Sequence, residues 1–169
     1  MASALKNLSQ YDDTTIPTAK EMKFGIVVAE WHTDITHALY EACADTLEKH
    51  GATSILTAQV PGTFELTAGA AQLINNKKLD AVICIGCVIK GETSHNEYIN
   101  HAVANGITML SVQTGIPVIF GVLTPNNHQQ ALDRAGGKYG NKGVEAAVTA
   151  IRMVDLKNSL AQKERKIGY

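Results

Sequence analysis

The chain has 169 residues, 45% of them hydrophobic, and a formal net charge of −1. That length indicates one domain with a sizeable core, and the near-neutral charge argues against nucleic acid or a membrane as a partner. Residues 1–20 are polar and include Asp12 and Asp13, unlike a signal or transit peptide. We therefore expect a polar N-terminal arm over residues 1–20 and a single domain over residues 21–169 of a cytoplasmic protein.

Strands and helices are predicted to alternate along the first half of the chain. A short β-branched, apolar run predicts a buried strand over residues 24–29. A helix follows over residues 33–50, with Thr33 or Asp34 as its N-cap. A strand over residues 53–59, a helix over residues 64–76 and a uniformly apolar strand over residues 81–87 complete this half.

The second half contains one ambiguous segment. ITMLSV alone is compatible with a strand, but the spacing of four, four and three between Ile99, Val103, Ile107 and Leu110 favours one helix over residues 96–114. Pro117 then opens a strand over residues 118–122, and Thr124 is the expected cap of a short helix that Gly136 and Gly137 end. The last helix is expected to begin near Gly143.

The alternation of strands and helices predicts an α/β fold with a parallel sheet covered on both faces. In such sheets, ligands bind at the carboxyl ends of the strands. The unusual segments of this sequence all follow predicted strands, at residues 30–32, 61–65, 90–95 and 123–124. This convergence predicts the position of an active site.

The three cysteines, Cys43, Cys84 and Cys87, are an odd number in apolar surroundings, which is typical of a reducing compartment. Cys84 and Cys87 form a C-x-x-C pattern, but residues three apart on a strand face opposite sides of the sheet. The sequence also lacks H-E-x-x-H, G-x-S-x-G and an early G-x-G-x-x-G. We expect no metal, and we expect the cysteines to pack in the core.

The segment Gly91-Glu92-Thr93-Ser94-His95 lies between a predicted strand and a predicted helix. Amides of Glu92 and Thr93 at a helix N-terminus suit an anion, and a histidine beside that anion can donate and accept protons near neutral pH. Alternatively, the segment is a capped helix start with an exposed histidine.

Two further segments have a functional and a structural interpretation. In RAGGKYGNKG, the cations Arg134, Lys138 and Lys142 lie among glycines, as in a flexible phosphate clamp or a solvated basic turn. In VPGTFEL, Glu65 either binds hydroxyl groups or complements a helix dipole. Trp31, the single tryptophan, either stacks on a planar heterocycle or packs in the core.

The segments VPGTFEL, GCVIKGETSH, PVIFGVLT and RAGGKYGNKG, in this order and spacing, closely resemble the 6,7-dimethyl-8-ribityllumazine synthase family of riboflavin biosynthesis. The resemblance covers about residues 22–160. It implies a three-layer α/β/α flavodoxin-like sandwich with a four-stranded parallel sheet. It also implies the condensation of 5-amino-6-(D-ribitylamino)uracil with 3,4-dihydroxy-2-butanone 4-phosphate, with release of phosphate and water and with no cofactor.

The resemblance assigns roles to residues of this chain. Trp31 matches the aromatic that stacks on the pyrimidinedione, and His95 matches the general acid/base. The segments that match the ribityl and heterocycle contacts are Thr63, Phe64 and Glu65, and Cys87, Val88 and Ile89.

For the phosphate group, the resemblance points to the Glu92 and Thr93 amides and to Arg134, with Lys138 and Lys142 as nearby basic positions. Phe120 matches an aromatic that closes the pocket. In the family, the residues that match Phe120 and Arg134 reach the pocket of the adjacent subunit. Two residues depart from the family pattern: Thr67 stands where a proline is common, and Asn96 where an aromatic is common.

The resemblance also implies an assembly built of pentamers. In many family members twelve pentamers close into an icosahedral shell, and the compact segment AGGKYGNKG favours that form here. Riboflavin synthase is a further expected partner. Two alternatives from other classes stay open at this point: a shell-forming relative without catalysis, and a flavin- or lumazine-binding carrier.

Overall fold

The computed structural model describes residues 9–165. Its main sheet contains four strands, β1 (Lys23–Ala29), β2 (Ser54–Val60), β3 (Ala81–Cys87) and β4 (Val118–Leu123). All neighbouring strands pair in parallel, in the order β2–β1–β3–β4. The predicted strand over residues 53–59 is shifted by one residue, and the other three predicted strands are confirmed to within one residue.

Within residues 9–165, five α-helices connect or follow these strands: α1 (Thr33–Lys49), α2 (Leu66–Asn76), α3 (His95–Thr114), α4 (His128–Asp133) and α5 (Lys142–Arg165). The ambiguous segment is helical, because α3 includes all of ITMLSV. None of the helices in the described part of the chain is long and apolar enough to cross a membrane.

The sheet separates two hydrophobic cores, because successive side chains of a strand point to opposite faces. Phe24 and Ile26 of β1 pack with Leu39 of α1 and Ile151 of α5. Val27, the residue directly after Ile26, belongs instead to the core formed with α2 and α3. This arrangement confirms the predicted three-layer α/β/α sandwich with a four-stranded parallel sheet.

The cysteines follow the same alternation. Cys84 lies in the core shared with α2 and α3, whereas Cys87 lies in the core shared with α1 and α5. Cys43 is buried on α1. All three are free thiols in the structure, and burial raises the pKa of Cys43 and of Cys84 to about 12.

The structure corrects two predicted helix caps. His32, and not Thr33 or Asp34, occupies the N-cap of α1, and it makes no side-chain capping bond there. In α4 the cap is Asn127 and not Thr124, because the Asn127 carboxamide oxygen accepts a hydrogen bond from the Gln130 amide at 2.9 Å. Thr33 and Asp34 already lie inside α1, and Thr124 lies four residues before His128, too far to reach the first amides of α4.

The glycine-rich segment after α4 is folded. It forms a two-stranded antiparallel ribbon of β5 (Ala135–Gly137) and β6 (Gly140–Asn141). Gly136 has a φ of +112°, a conformation that side chains disfavour. The prediction that Gly136 and Gly137 end the preceding helix is confirmed, whereas the interpretation of the segment as a flexible clamp or a solvated turn missed the ribbon.

The described part of the N-terminal segment packs on the helices of one face. Asp13 pairs with Lys49 of α1 at 2.8 Å, and the Thr15 hydroxyl accepts a hydrogen bond from Arg152 of α5 at 3.2 Å. Ile16 and Ala19 are buried. Residues 9–20 are therefore polar but lie against the domain.

The order of strands fixes where a ligand can bind. From β1 the chain moves to β2 on one side and then crosses to β3 on the other side of β1. The direction of winding thus reverses between β1 and β3, and a crevice opens outside the carboxyl ends of strands at such a point.

Candidate active site

A cavity of about 670 Å³ lies at the predicted edge of the sheet. Most of the predicted site residues line it: Trp31, Thr63, Phe64, Glu65, Cys87, Val88, Ile89, Thr93 and His95. They come from the segments that follow β1, β2 and β3 and from the start of α3. The topology therefore gathers residues that are up to 64 positions apart in the sequence, from Trp31 to His95.

Trp31 stands at the mouth of this cavity with 71% of its surface exposed. This exposure is incompatible with a role in the core, so the alternative interpretation of Trp31 as a core residue is wrong. Phe64, also exposed, lies in the same wall. Two aromatic rings beside one cavity provide apolar surface on which a flat heterocycle can stack.

His32 lies beside Trp31 and was not predicted to be a site residue. Its backbone is left-handed, with a φ of +60°, and no other non-glycine residue in the described ranges has a positive φ. The rings of Trp31 and His32 meet edge to face, with centroids 6.5 Å apart. The strained backbone turns the chain sharply from β1 into α1 and brings His32 into the cavity wall.

The wall after β2 is a short 3₁₀ turn, Thr63–Glu65. The buried Thr63 hydroxyl donates to the Cys87 carbonyl at 3.3 Å, which ties this turn to the end of β3. Gly86 makes the approach possible, because a Cβ there would lie 2.8 Å from Thr63 Oγ1. Glu65 is exposed at the N-cap of α2 but makes no capping bond, so its carboxylate can complement the helix dipole and face the cavity.

The floor of the cavity is the end of β3. The Val88 amide donates to the Leu123 carbonyl at 2.8 Å and is already bonded. The Ile89 amide has no acceptor in the described part of the chain and is available to a ligand. Burial, and secondarily the charge of Asp34, raises the pKa of the Cys87 thiol to about 12, so this thiol stays protonated and is no nucleophile.

The segment after β3 leaves backbone donors open. Among residues 9–165, no group accepts the amides of Glu92 or Thr93. Ser94 holds the N-cap position of α3 without a side-chain capping bond, and Thr93 Oγ1 accepts from the His95 amide only at 3.4 Å. The alternative of a well-capped helix start is therefore disfavoured, and the geometry suits an anion.

His95 is the first residue of α3 and is exposed in the cavity wall. Its imidazole makes no hydrogen bond within the described part of the chain, so both ring nitrogens are open to a ligand. Its neighbour Asn96 also lines the cavity, and its buried Oδ1 has no partner in the described ranges. Thr67, the other residue that departs from the family pattern, does not line the cavity, but its Oγ1 is likewise buried without a hydrogen-bond partner in the described ranges.

The remaining predicted residues lie elsewhere in the same chain. Phe120 and Lys142 line a second cavity of about 500 Å³ between α3, β4 and α5. Arg134 is held at the end of α4, where its Nη2 donates to Glu145 Oε1 at 3.1 Å. Lys138 is exposed on the ribbon, with its ammonium 5.1 Å from the Tyr139 ring centre. None of these four lines the first cavity, and neither does Glu92, which is exposed in the segment between β3 and α3.

Glu145, which also lines the second cavity, contacts Arg134 and Lys142 and was not predicted from the sequence. Its other oxygen, Oε2, accepts from Lys142 Nζ at 3.0 Å. The three-residue spacing of Lys142 and Glu145 in the first turn of α5 was the available signal. One carboxylate thus holds two of the predicted cations.

Comparison with known proteins gives a consistent result. The family model described as 6,7-dimethyl-8-ribityllumazine synthase matches residues 21–158. A protein of that name from Phocaeicola vulgatus is 51% identical over 166 residues, which cover 97% of this chain and 99% of the relative. Proteins of the same name from Parabacteroides distasonis and Cytophaga hutchinsonii are 55% and 54% identical, over 92% and 91% of this chain and 98% of each relative.

Proposed function

The chain belongs to the 6,7-dimethyl-8-ribityllumazine synthase family, and from that premise we propose how its residues divide the work of the reaction. The enzyme is a transferase of riboflavin biosynthesis. It condenses 5-amino-6-(D-ribitylamino)uracil with 3,4-dihydroxy-2-butanone 4-phosphate to 6,7-dimethyl-8-ribityllumazine, with release of phosphate and water.

The uracil substrate occupies the cavity between the strand ends. Its ring stacks on Trp31, and the edge of the ring meets the backbone of residues 87–89, where the Ile89 amide is open. The ribityl hydroxyls face the turn of Thr63, Phe64 and Glu65, whose exposed carboxylate accepts their hydrogen bonds. What supports this placement is that one cavity offers a flat apolar wall next to a polar turn.

The butanone phosphate lies at the start of α3. Its phosphate accepts hydrogen bonds from the free amides of Glu92 and Thr93, at the positive end of the helix dipole. This places the carbonyl carbon next to His95, the general acid/base. The amine of the uracil attacks the carbonyl, and the imidazole moves protons as water and then phosphate leave and the ring closes. The substrate's own amine forms the imine, so the reaction needs neither a lysine nucleophile nor a cofactor.

Phe120, Arg134 and the two lysines complete the pocket of a neighbouring copy. The observation that carries this proposal is that the first cavity holds a histidine and free amides but no cation, whereas Arg134 and Phe120 lie at another edge of the chain. A ring of head-to-tail copies brings the two edges together at every junction.

We infer that the copies form pentamers and that the pentamers build a shell in the cytoplasm, which riboflavin synthase can occupy. In the single chain, Val112 of α3 is 75% exposed, and Tyr98 of the same helix, which also lines the first cavity, is 73% exposed. Exposed apolar residues Leu156 and Leu160 continue along α5. Apolar surface on two long helices is typical of protein interfaces.

The activity is tested by mixing the purified protein with both substrates and following the lumazine chromophore. We expect lumazine to form at a rate above the uncatalysed condensation. A protein that assembles but gives no rate above background would be the noncatalytic shell protein. One that only binds the finished lumazine would be the carrier.

Substitution of His95 tests the proposed acid/base. We expect His95→Ala to lower kcat by about 10²–10⁴-fold, the usual contribution of such a group, while the assembly sediments as in the wild type. His101→Ala is the matched control, because His101 is exposed on the same helix but does not line the cavity. Unchanged turnover in His95→Ala would remove the histidine from the mechanism.

A further inference from the structure

We propose that Glu145 is a positioning residue that sets the enzyme's affinity for phosphate, by holding Arg134 and Lys142 side by side and cancelling one of their two charges. The inference rests on the proposed function, in which Arg134 binds the phosphate group. It concerns a residue with no assigned role in that function.

The geometry is that of a bridging carboxylate. Oε1 of Glu145 accepts from Arg134 Nη2 at 3.1 Å, and Oε2 accepts from Lys142 Nζ at 3.0 Å. Each oxygen thus holds one cation. Because a guanidinium has five N–H donors in a fixed plane, this bond orients Arg134 and still leaves donors for a phosphate.

The cluster of Arg134, Lys142 and Glu145 is partly shielded from solvent, so the interactions between its charges are strengthened. The side chains of Arg134, Lys142 and Glu145 are 26%, 28% and 15% exposed. Two cations held this close would repel each other without the carboxylate, and partly buried charges are screened less than surface charges. With Glu145 present the cluster carries one net positive charge instead of two.

This balance suits a reaction that both binds a phosphate ester and releases inorganic phosphate. Two uncompensated cations would bind the ester tightly but would also retain the product. The carboxylate limits the attraction while keeping the donors in place. Glu145 therefore favours release of the phosphate product over tight binding of the ester.

The test uses inorganic phosphate as the probe, with its inhibition constant against the butanone phosphate as the readout. Glu145→Gln keeps the shape of the side chain and removes its charge. We expect phosphate to inhibit roughly three- to tenfold more strongly, the range expected for one partly screened charge, with a lower KM for the butanone phosphate. Asp155→Asn is the matched control, because Asp155 is an exposed carboxylate of the same helix with no ion pair in the described ranges.

A second comparison covers the case in which Glu145→Gln does not fold because Lys142 loses its partner. Lys142→Gln is compared with the double variant Lys142→Gln/Glu145→Gln, in which no lysine is left unpaired. The double variant should again bind phosphate roughly three- to tenfold more tightly than Lys142→Gln alone. A purely structural role for Glu145 would change thermal stability but leave the inhibition constant unchanged, and that result would overturn the inference.

Arg134→Ala separates this inference from the function on which it rests. If Arg134→Ala weakens phosphate inhibition but Glu145→Gln does not change it, only the role of Glu145 is wrong. If Arg134→Ala has no effect on phosphate or on the KM of the butanone phosphate, the assignment of Arg134 is wrong, and the role of Glu145 falls with it.

Discussion

Trp31 presents most of its ring to solvent at the carboxyl end of β1. So large an exposed aromatic surface adds little to folding, and its benefit comes when a ligand covers it. His95 is similar, because its imidazole makes no bond within the described part of the chain. Substitutions of either residue should therefore change stability little, so an effect on binding or turnover can be attributed to the site.

Trp31→Ala should weaken binding of the ribitylaminouracil several-fold to about tenfold, because aromatic stacking adds ~0.5–1.5 kcal/mol beyond area burial. Trp31→Phe keeps a stacking ring and should have a mild effect. Calorimetric titration with a non-reacting analogue of the uracil measures both. The thermal midpoint should hardly change, since the indole is exposed. A large loss of stability with intact affinity would show that Trp31 serves the fold.

The predicted residues that line the first cavity share one property: each lies at a strand end or in the short motif that follows it, where the topology concentrates ligands. His32 and Glu145 were missed for different reasons. His32 lies in the cavity wall because its backbone is left-handed, and no local sequence pattern predicts that conformation. Glu145 contacts Arg134, which lies eleven residues away across the ribbon, and such tertiary pairing cannot be derived from one sequence.

At the scale of elements, periodicity predicted better than propensity. The run ITMLSV favours a strand by composition, yet its place in the stripe of Val103 and Ile107, which pack on the sheet, makes it helical. The short helix α4 and the ribbon β5–β6 were harder to predict from the sequence. Their boundaries depend on the Asn127 cap and on the pairing of Ala135 with Asn141.

The start of α1 offers a test of stored strain. A left-handed conformation costs a non-glycine residue roughly 1–2 kcal/mol, and more for a β-branched one. His32→Gly should therefore be as stable as the wild type or more stable by up to about 1 kcal/mol. His32→Val should be less stable than the wild type by at least ~1 kcal/mol. Chemical unfolding at one fixed protein concentration measures both. Equal stability of the glycine and valine variants would show that the backbone is not strained there.

At the scale of the whole molecule, the chain divides its predicted residues between two places. One cavity gathers Trp31, Glu65 and His95, and a second gathers Phe120 and Lys142 near Arg134. In the single chain these two sets of residues line different cavities and do not meet. The exposed apolar residues of α3 and α5 provide surface through which copies can join, and a ring of such copies would bring the two sets together.

Activity in mixed assemblies tests this account most directly. His95→Ala and Arg134→Ala are unfolded and reassembled together in equal amounts, and the mixture is assayed at a low butanone phosphate concentration, at which each variant alone has little activity. If the site is shared, random mixing gives about a quarter of junctions in a closed ring with both residues intact. Wild type mixed with the double variant should recover the same fraction. If both residues belong to one chain's site, the first mixture stays inactive and the second recovers about half. Recovery in both mixtures to about a quarter is the result that we predict, and an inactive first mixture in which mixed rings have formed would contradict the account.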